Sequence, residues 1–319
     1  MGQRRLEALI DLASRGNMRA MGRLLTILEN PSLESVSLLE RLMEKSRGAH
    51  VIGFTGIPGS GKSTLVSRVI SKFREKGYRV AVVAIDPSSP LTQGSLLGDR
   101  LRMQEHATDP GVFIRSIPTR GVKGGLSLAA IAMAEAFDAF GYDKILVETV
   151  GVGQAEVDVM HAAHTIVVVT MPGAGDDIQA LKAGVMEIGD IYVVNKSDKP
   201  EASKTYEYLK FALEKGEIGE HRDGWEPRIV KTSAVMGTGL EELVAAMEDH
   251  YRHLKASGSL EKRVNSRRRL LLRLYVEAIL SETVGNVVLS KEKDAGKRLG
   301  DAIKETLSDV ISELSKALP

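Results

Sequence analysis

The string Gly56-Ile57-Pro58-Gly59-Ser60-Gly61-Lys62-Ser63, followed by Thr64, constrains this chain more than any other stretch. It stands between a β-branched run at 51–55 and a stretch of helical periodicity at 65–75. Strand, glycine-rich turn and helix in that order form a phosphate loop. Glycines let the backbone turn its N–H groups inward, and the helix N-terminus adds positive partial charge. In such a loop Lys62 reaches the β- and γ-phosphates of a nucleotide and the Ser63 hydroxyl ligates Mg2+.

From residue 50 to about 255, short β-branched runs alternate with helix-like stretches, the sign of βαβ units. Strands are expected at 51–55, 79–85, 112–117, 144–148, 165–170, 191–195 and 228–232. Several are apolar on successive residues, as strands covered by helices on both faces should be. The fold class is therefore α/β, a P-loop NTPase with a mostly parallel sheet. Residues 3–46 predict three further helices, with Gly16-Asn17 separating the first two and Asn30-Pro31 as N-cap and first-turn proline of the third. After Gly258 the pattern is helical again, chiefly at 266–282 and 294–317.

Asn195-Lys196-Ser197-Asp198 ends the apolar run that begins at Ile191, at the carboxyl edge where a parallel sheet receives ligands. An aspartate there accepts two hydrogen bonds from guanine N1–H and the N2 amine. Adenine lacks that amine and presents a lone pair at N1, so the motif selects guanine, by about 10⁴ to 10⁵ in sites of this kind. Ser233-Ala234-Val235, after the last strand, would supply a backbone N–H to the guanine oxygen.

Glu148 closes the run 144–148 and is expected near the metal, with Thr149-Val150-Gly151 as a loop by the γ-phosphate. Gly151 is a candidate N–H donor there and Gln154 a candidate to orient water. Between Lys62 and Glu148 there is room for two complete βα units, so an extended switch lies between them. Asp86, in Asp86-Pro87-Ser88-Ser89-Pro90, and Asp99, in Gly98-Asp99-Arg100, are candidates for the magnesium shell. The glycine-rich segment from Gly173 opens a helix holding Gln179 and Lys182; Lys182 either reaches developing phosphate charge or is solvated. The pairs His161/His164 and His250/His253 have helical i,i+3 spacing, but with no third ligand nearby a metal is disfavoured.

Composition excludes several classes. A net charge of +1 argues against a nucleic-acid binder, and the basic run at 262–273 is expected to be a solvated or partner-facing helix side. With 43% hydrophobic and 27% charged residues, wholesale disorder is not expected. The absence of cysteine removes disulfides and thiolate metal sites and suits a reducing cytosol, so a cytoplasmic location is expected. No apolar run approaches membrane-spanning length, and Glu7 and Asp11 break the acid-poor pattern of a transit peptide.

These residues resemble the MeaB/ArgK GTPases associated with methylmalonyl-CoA mutase. The matching strings are GIPGSGKST at 56–64, DPSSP at 86–90, LLGDRLRM at 96–103, ETVGVGQ at 148–154, PGAGDDIQALKAG at 172–184 and NKSD at 195–198. The resemblance implies a homodimeric GTPase chaperone that assists cobalamin delivery to the mutase and protects it from inactivation. It also supports Asp86, Asp99 and Glu148 near Mg2+, adds weight to Lys182, and assigns 1–48 to a helical extension, 49–257 to the GTPase domain and 258–319 to a helical dimerisation arm. Two other readings compete: a kinase linked to amino-acid transport, and a nickel-insertion GTPase, whose relatives usually carry Cys and His motifs missing here.

Overall fold

A computed structural model describes residues 3–86, 104–118, 125–149, 160, 163–173, 185–219, 222–290 and 298–317. Within them, seven strands form one sheet: β1 (His50–Gly56), β2 (Val80–Asp86), β3 (Val112–Pro118), β4 (Lys144–Glu148), β5 (Thr165–Thr170), β6 (Ile191–Val194) and β7 (Arg228–Lys231). The spatial order is β3-β2-β4-β1-β5-β6-β7, and every adjacent pair is parallel. The chain leaves β1 for one side of the sheet and returns on the other with β5. A crevice therefore opens at the carboxyl end of β1.

The continuous burial of β1, β4, β5 and β6 follows from helices on both faces. Ile52, Phe54, Val82 and Val167 point to the side covered by α4 (Lys62–Glu75) and α7 (Leu240–Ala256), where they meet Leu65, Phe73, Leu243 and Met247. Val51, Ala81, Val83 and Val168 point the other way, toward α5 (Gly125–Ala139), α6 (Ala202–Glu214) and the amino-terminal helices. Each fully buried Leu, Ile, Val or Phe contributes roughly 1.5–3 kcal/mol. Those two apolar layers, rather than helix propensity, hold the helices on the sheet.

The amino-terminal helices are α1 (Gln3–Ser14), α2 (Met18–Leu28) and α3 (Leu33–Met43). Asn17 caps α2, its side chain accepting from Ala20 N at 3.0 Å. The third helix corrects the expected Asn30-Pro31 start. Ser32 is the cap, in a reciprocal box with Ser35, because its hydroxyl satisfies the Ser35 N–H while Ser35 Oγ accepts from Ser32 N.

The carboxyl-terminal helices are α8 (Ser259–Ser290) and α9 (Leu299–Ala317). α8 is longer than expected, starting at Ser259. The expectation that its basic run is solvated fails for two residues. Arg263 binds Asp190 through Nη1 and Nη2 at 3.0 Å each and Asp223 through Nε at 3.0 Å, while Arg267 Nε donates to Glu135 at 2.6 Å. Leu271, Leu274 and Tyr275 then enter the core. The first half of α8 is thus seated in the sheet domain.

Candidate functional site

The carboxyl edge of β1 turns directly into the phosphate loop. Gly56 has φ +136°, and a Cβ there would lie 2.0 Å from Val169 O, so only glycine lets β1 leave the sheet at this angle. Gly61 has φ +87°, with Asn195 Nδ2 2.7 Å from where a Cβ would stand. The helix α4 begins at Lys62, three residues before the expected 65, so Lys62 and Ser63 occupy its first turn. Lys62 is buried, and its Nζ donates to Gly56 O at 2.8 Å and Ile57 O at 3.0 Å. The ammonium therefore lies folded over the loop.

Glu148 ends β4, the neighbour of β1, and receives a hydrogen bond from Ser63 Oγ at 2.7 Å. A hydroxyl and a carboxylate meeting here are two hard oxygen donors of the type Mg2+ takes, so Ser63 and Glu148 are the described side chains that would hold the ion. A cleft of about 540 Å³ runs past them, lined by Gly59, Lys62, Ser63, Thr64, Glu148 and Lys196 among others. Asp86 ends β2 on the same edge, its side chain outside the described residues. Asp99, Gly151, Gln154, Lys182 and His161 also lie outside them.

Asn195-Lys196-Ser197-Asp198 follows β6, and Ser233-Ala234-Val235 follows β7, both on this edge. Asn195 Nδ2 donates to Ser60 O at 2.8 Å, while its Oδ1 accepts from Thr232 Oγ1 at 3.1 Å and Ala234 N at 3.2 Å. Lys196 stands in the left-handed region at φ +57° and donates from Nζ to Gly59 O at 2.6 Å, above the phosphate loop. Asp198 is exposed; the Ser233 hydroxyl, 2.5 Å away, holds its carboxyl below the usual range and keeps it anionic. With Ala234 N–H turned to Asn195, Val235 N–H is left without an acceptor among the described residues.

Two contacts escaped the sequence reading. Arg68 Nε donates to Ala234 O at 3.1 Å, tying α4 to the loop after β7. Ser67 Oγ contacts both Glu105 and His106, the latter at 3.0 Å, fixing the chain that follows 87–103 to α4. Neither pair has a spacing that sequence could reveal, since the partners are far apart along the chain.

Among the described residues no three His, Asp or Glu side chains come together as a metal set, and His161 lies outside them. His50 Nε2 and His250 Nδ1 instead flank Thr165 Oγ1 at 2.6 and 2.8 Å, at the opposite edge of the sheet. No described helix is long and apolar enough to cross a membrane.

Comparison with known proteins agrees with this geometry. A putative GTPase of Pyrococcus horikoshii is 44% identical over 98% of this chain and 96% of its own length. The GTPase ArgK of Escherichia coli is 36% identical over 77% of this chain and 76% of its own. A crystal structure described as the LAO/AO transport system kinase superposes with a TM-score of 0.71 over 99% of both chains at 24% identity, which speaks to the fold alone. The family model described as "Methylmalonyl Co-A mutase-associated GTPase MeaB" matches residues 21–288. The chain belongs to the MeaB family of GTPases, enzymes that convert GTP and water to GDP and phosphate.

Proposed function

We propose that this GTPase serves as a chaperone of a cobalamin-dependent methylmalonyl-CoA mutase, assisting cofactor delivery and guarding the mutase against inactivation. The observation that carries the reading is the line of phosphate loop, Glu148 and Asp198 along one sheet edge, in a chain matched over 21–288 by a model described as mutase-associated. The kinase and nickel-insertion alternatives have no comparable support.

In this reading the main-chain N–H groups of the 56–63 loop, Pro58 excepted, cradle the phosphates, and Lys62 exchanges its carbonyl partners for the β- and γ-phosphate oxygens. Ser63 and Glu148 hold Mg2+, with Asp86 and Asp99 in its shell. When bound, the ion neutralises charge developing between the β- and γ-phosphates. Gly151 steadies the γ-phosphate, Gln154 orients the attacking water, and Lys182 answers to the partner. Asp198 reads the guanine edge, and the loop at Ser233, Ala234 and Val235 receives its oxygen.

We further propose that the protein works as a homodimer. Leu280, Val284 and Val288 on α8, and Ile303, Leu307 and Ile311 on α9, are 39–64% exposed at helical i,i+4 spacing, an apolar surface that a second copy would cover.

The test is to measure GTP turnover and nucleotide-dependent complex formation with and without a purified methylmalonyl-CoA mutase. Acceleration together with a GTP-dependent complex is expected. A GTPase that ignores every such mutase would overturn the chaperone reading and leave the hydrolase intact.

A further inference from the structure

About 20 Å from the phosphate loop, one strand length away, the opposite edge of the sheet holds a second cavity of about 460 Å³. It is bounded by the loop before β1, the starts of β2 and β4, and α7. Its volume lies in the range of small-molecule sites.

Lys144, the first residue of β4, lines this cavity. Its side chain is 7% exposed, and among the described residues its ammonium donates no hydrogen bond. The nearest carboxylate oxygen, on Glu248, is 3.9 Å away, and that group is already engaged by Lys76 at 2.5 Å. The ammonium rests instead near the ring faces of Tyr78 and Phe73, at 4.5 and 5.1 Å from their centroids. Burial pulls its pKa down from the ordinary lysine value. A largely desolvated ammonium whose only carboxylate neighbour stands 3.9 Å away and is shared with Lys76 gains from an anion that hydrogen-bonds to it from the cavity.

Two more cations border the same space. The Arg47 guanidinium has neither ion pair nor hydrogen bond among the described residues, and Lys255 is held only over the Tyr251 ring at 4.5 Å. Of the acids in the wall, Glu248 is taken by Lys76, and Asp143 accepts from the Arg79 N–H at 2.7 Å. Arg252, the remaining cation, is paired with Asp249. Lys144, Arg47 and Lys255 therefore face one cavity, with Glu248 shared between Lys76 and a 3.9 Å approach to Lys144, and with Asp143 carrying a charge that no cation pairs among the described residues.

We propose that this cavity is a second ligand site, distinct from the nucleotide cleft, which binds the phosphoryl group of a small molecule through Lys144, Arg47 and Lys255. Three cations suit a group with about two negative charges spread over three acceptor oxygens better than a single carboxylate does. The site lies at the start of β4, the strand whose far end carries Glu148.

The experiment loads the full-length protein with GDP and Mg2+, so that the phosphate loop is filled, and titrates pyrophosphate by calorimetry, with acetate as control. Saturable binding of pyrophosphate and not acetate is expected, weakened at least tenfold in Lys144→Met and in Arg47→Gln. Arg47 is on the surface, so its variant tests the site even where Lys144→Met fails to fold. Absence of pyrophosphate binding by the GDP-loaded protein, or binding unchanged in Arg47→Gln, overturns the proposal. Loss of GDP binding itself would instead fault the nucleotide reading.

Discussion

The two edges of the sheet are built on different principles. At the carboxyl edge, main-chain N–H groups and short contiguous motifs form the cleft, and its side chains are partly open: Asp198 is exposed and Lys196 leans over Gly59. At the amino edge, charged groups drawn from distant segments are buried against one another. Glu135 and Arg267 are 2% and 6% exposed in their side chains, and Arg267 Nη1 also reaches His164 Nε2 at 2.9 Å. The first edge keeps polar groups available for a nucleotide, whereas at the second Arg263, Arg267 and their acids are spent on holding α8. Changes at the first should therefore alter chemistry at constant fold, and changes in the ion-pair network beneath α8 should alter stability at constant chemistry.

The largest effect should come from Asp198→Asn. An amide donates to the oxygen that xanthine carries in place of the guanine amine, so preference should move from GTP toward XTP by about 10⁴. Competition binding with the two nucleotides measures it. Unchanged GTP affinity would remove Asp198 from the base site.

Next comes Arg267→Met, which leaves Glu135 buried without its partner and should cost about 3–5 kcal/mol. Pairing it with Glu135→Leu should recover most of that loss. Chemical denaturation reads the stability, and turnover per folded molecule should match the parent. A fall in turnover without a fall in stability would erase the distinction between the edges.

Lys62→Ala should lower kcat by about 10² to 10³, as removal of one preorganised charge donor does, with the unfolding midpoint near the parent's. Parent-like hydrolysis by the folded variant would break the phosphate-loop assignment.

The smallest effect per group is in pH. Burial, reinforced by neighbouring cations, holds His50 and His164 well below 6.5, and burial pushes His250 down to about 4 despite Asp190 nearby. Below pH 6.5 the unfolded chain takes up protons that the native protein refuses. Stability should be flat above about pH 7 and fall below 6.5, by up to about 1.4 kcal/mol per pH unit for each histidine, with the His250 contribution ending near pH 4. Equilibrium unfolding at stepped pH tests this sign; a rise in stability on acidification would contradict the buried neutral assignment.

This division also explains what was legible in the sequence. All seven strands were anticipated to within a residue or so; β1, β4, β5 and β6 are apolar on successive residues because both faces are covered, while the edge strands β3 and β7 were legible from shorter β-branched runs. The phosphate loop, Glu148 and Asn195 to Asp198 were readable because each motif is local and its chemistry dictates its spacing. The half-buried Arg263 and the buried Arg267 were misjudged, since a basic run on a helix looks solvated until the partners Asp190, Asp223 and Glu135 are brought to it from other elements. Ser32 was missed as a cap because Asn30-Pro31 offers a similar signal two residues earlier. Arg68, Ser67 and the grouping of Lys144 with Arg47 and Lys255 gave no signal, as nothing in sequence announces a contact between remote segments.

Asn195 carries a last consequence. One amide bonds to Ser60 in the phosphate loop, to Ala234 after β7 and to Thr232, so the two ends of the cleft are parts of a single cross-braced frame. On the proposed reading, base and triphosphate meet a receptor whose halves are already in register, and the entropy of aligning them is met during folding rather than at each binding event. The guanine base and the triphosphate then act as a chelate: each end, once seated, presents the other at high effective concentration.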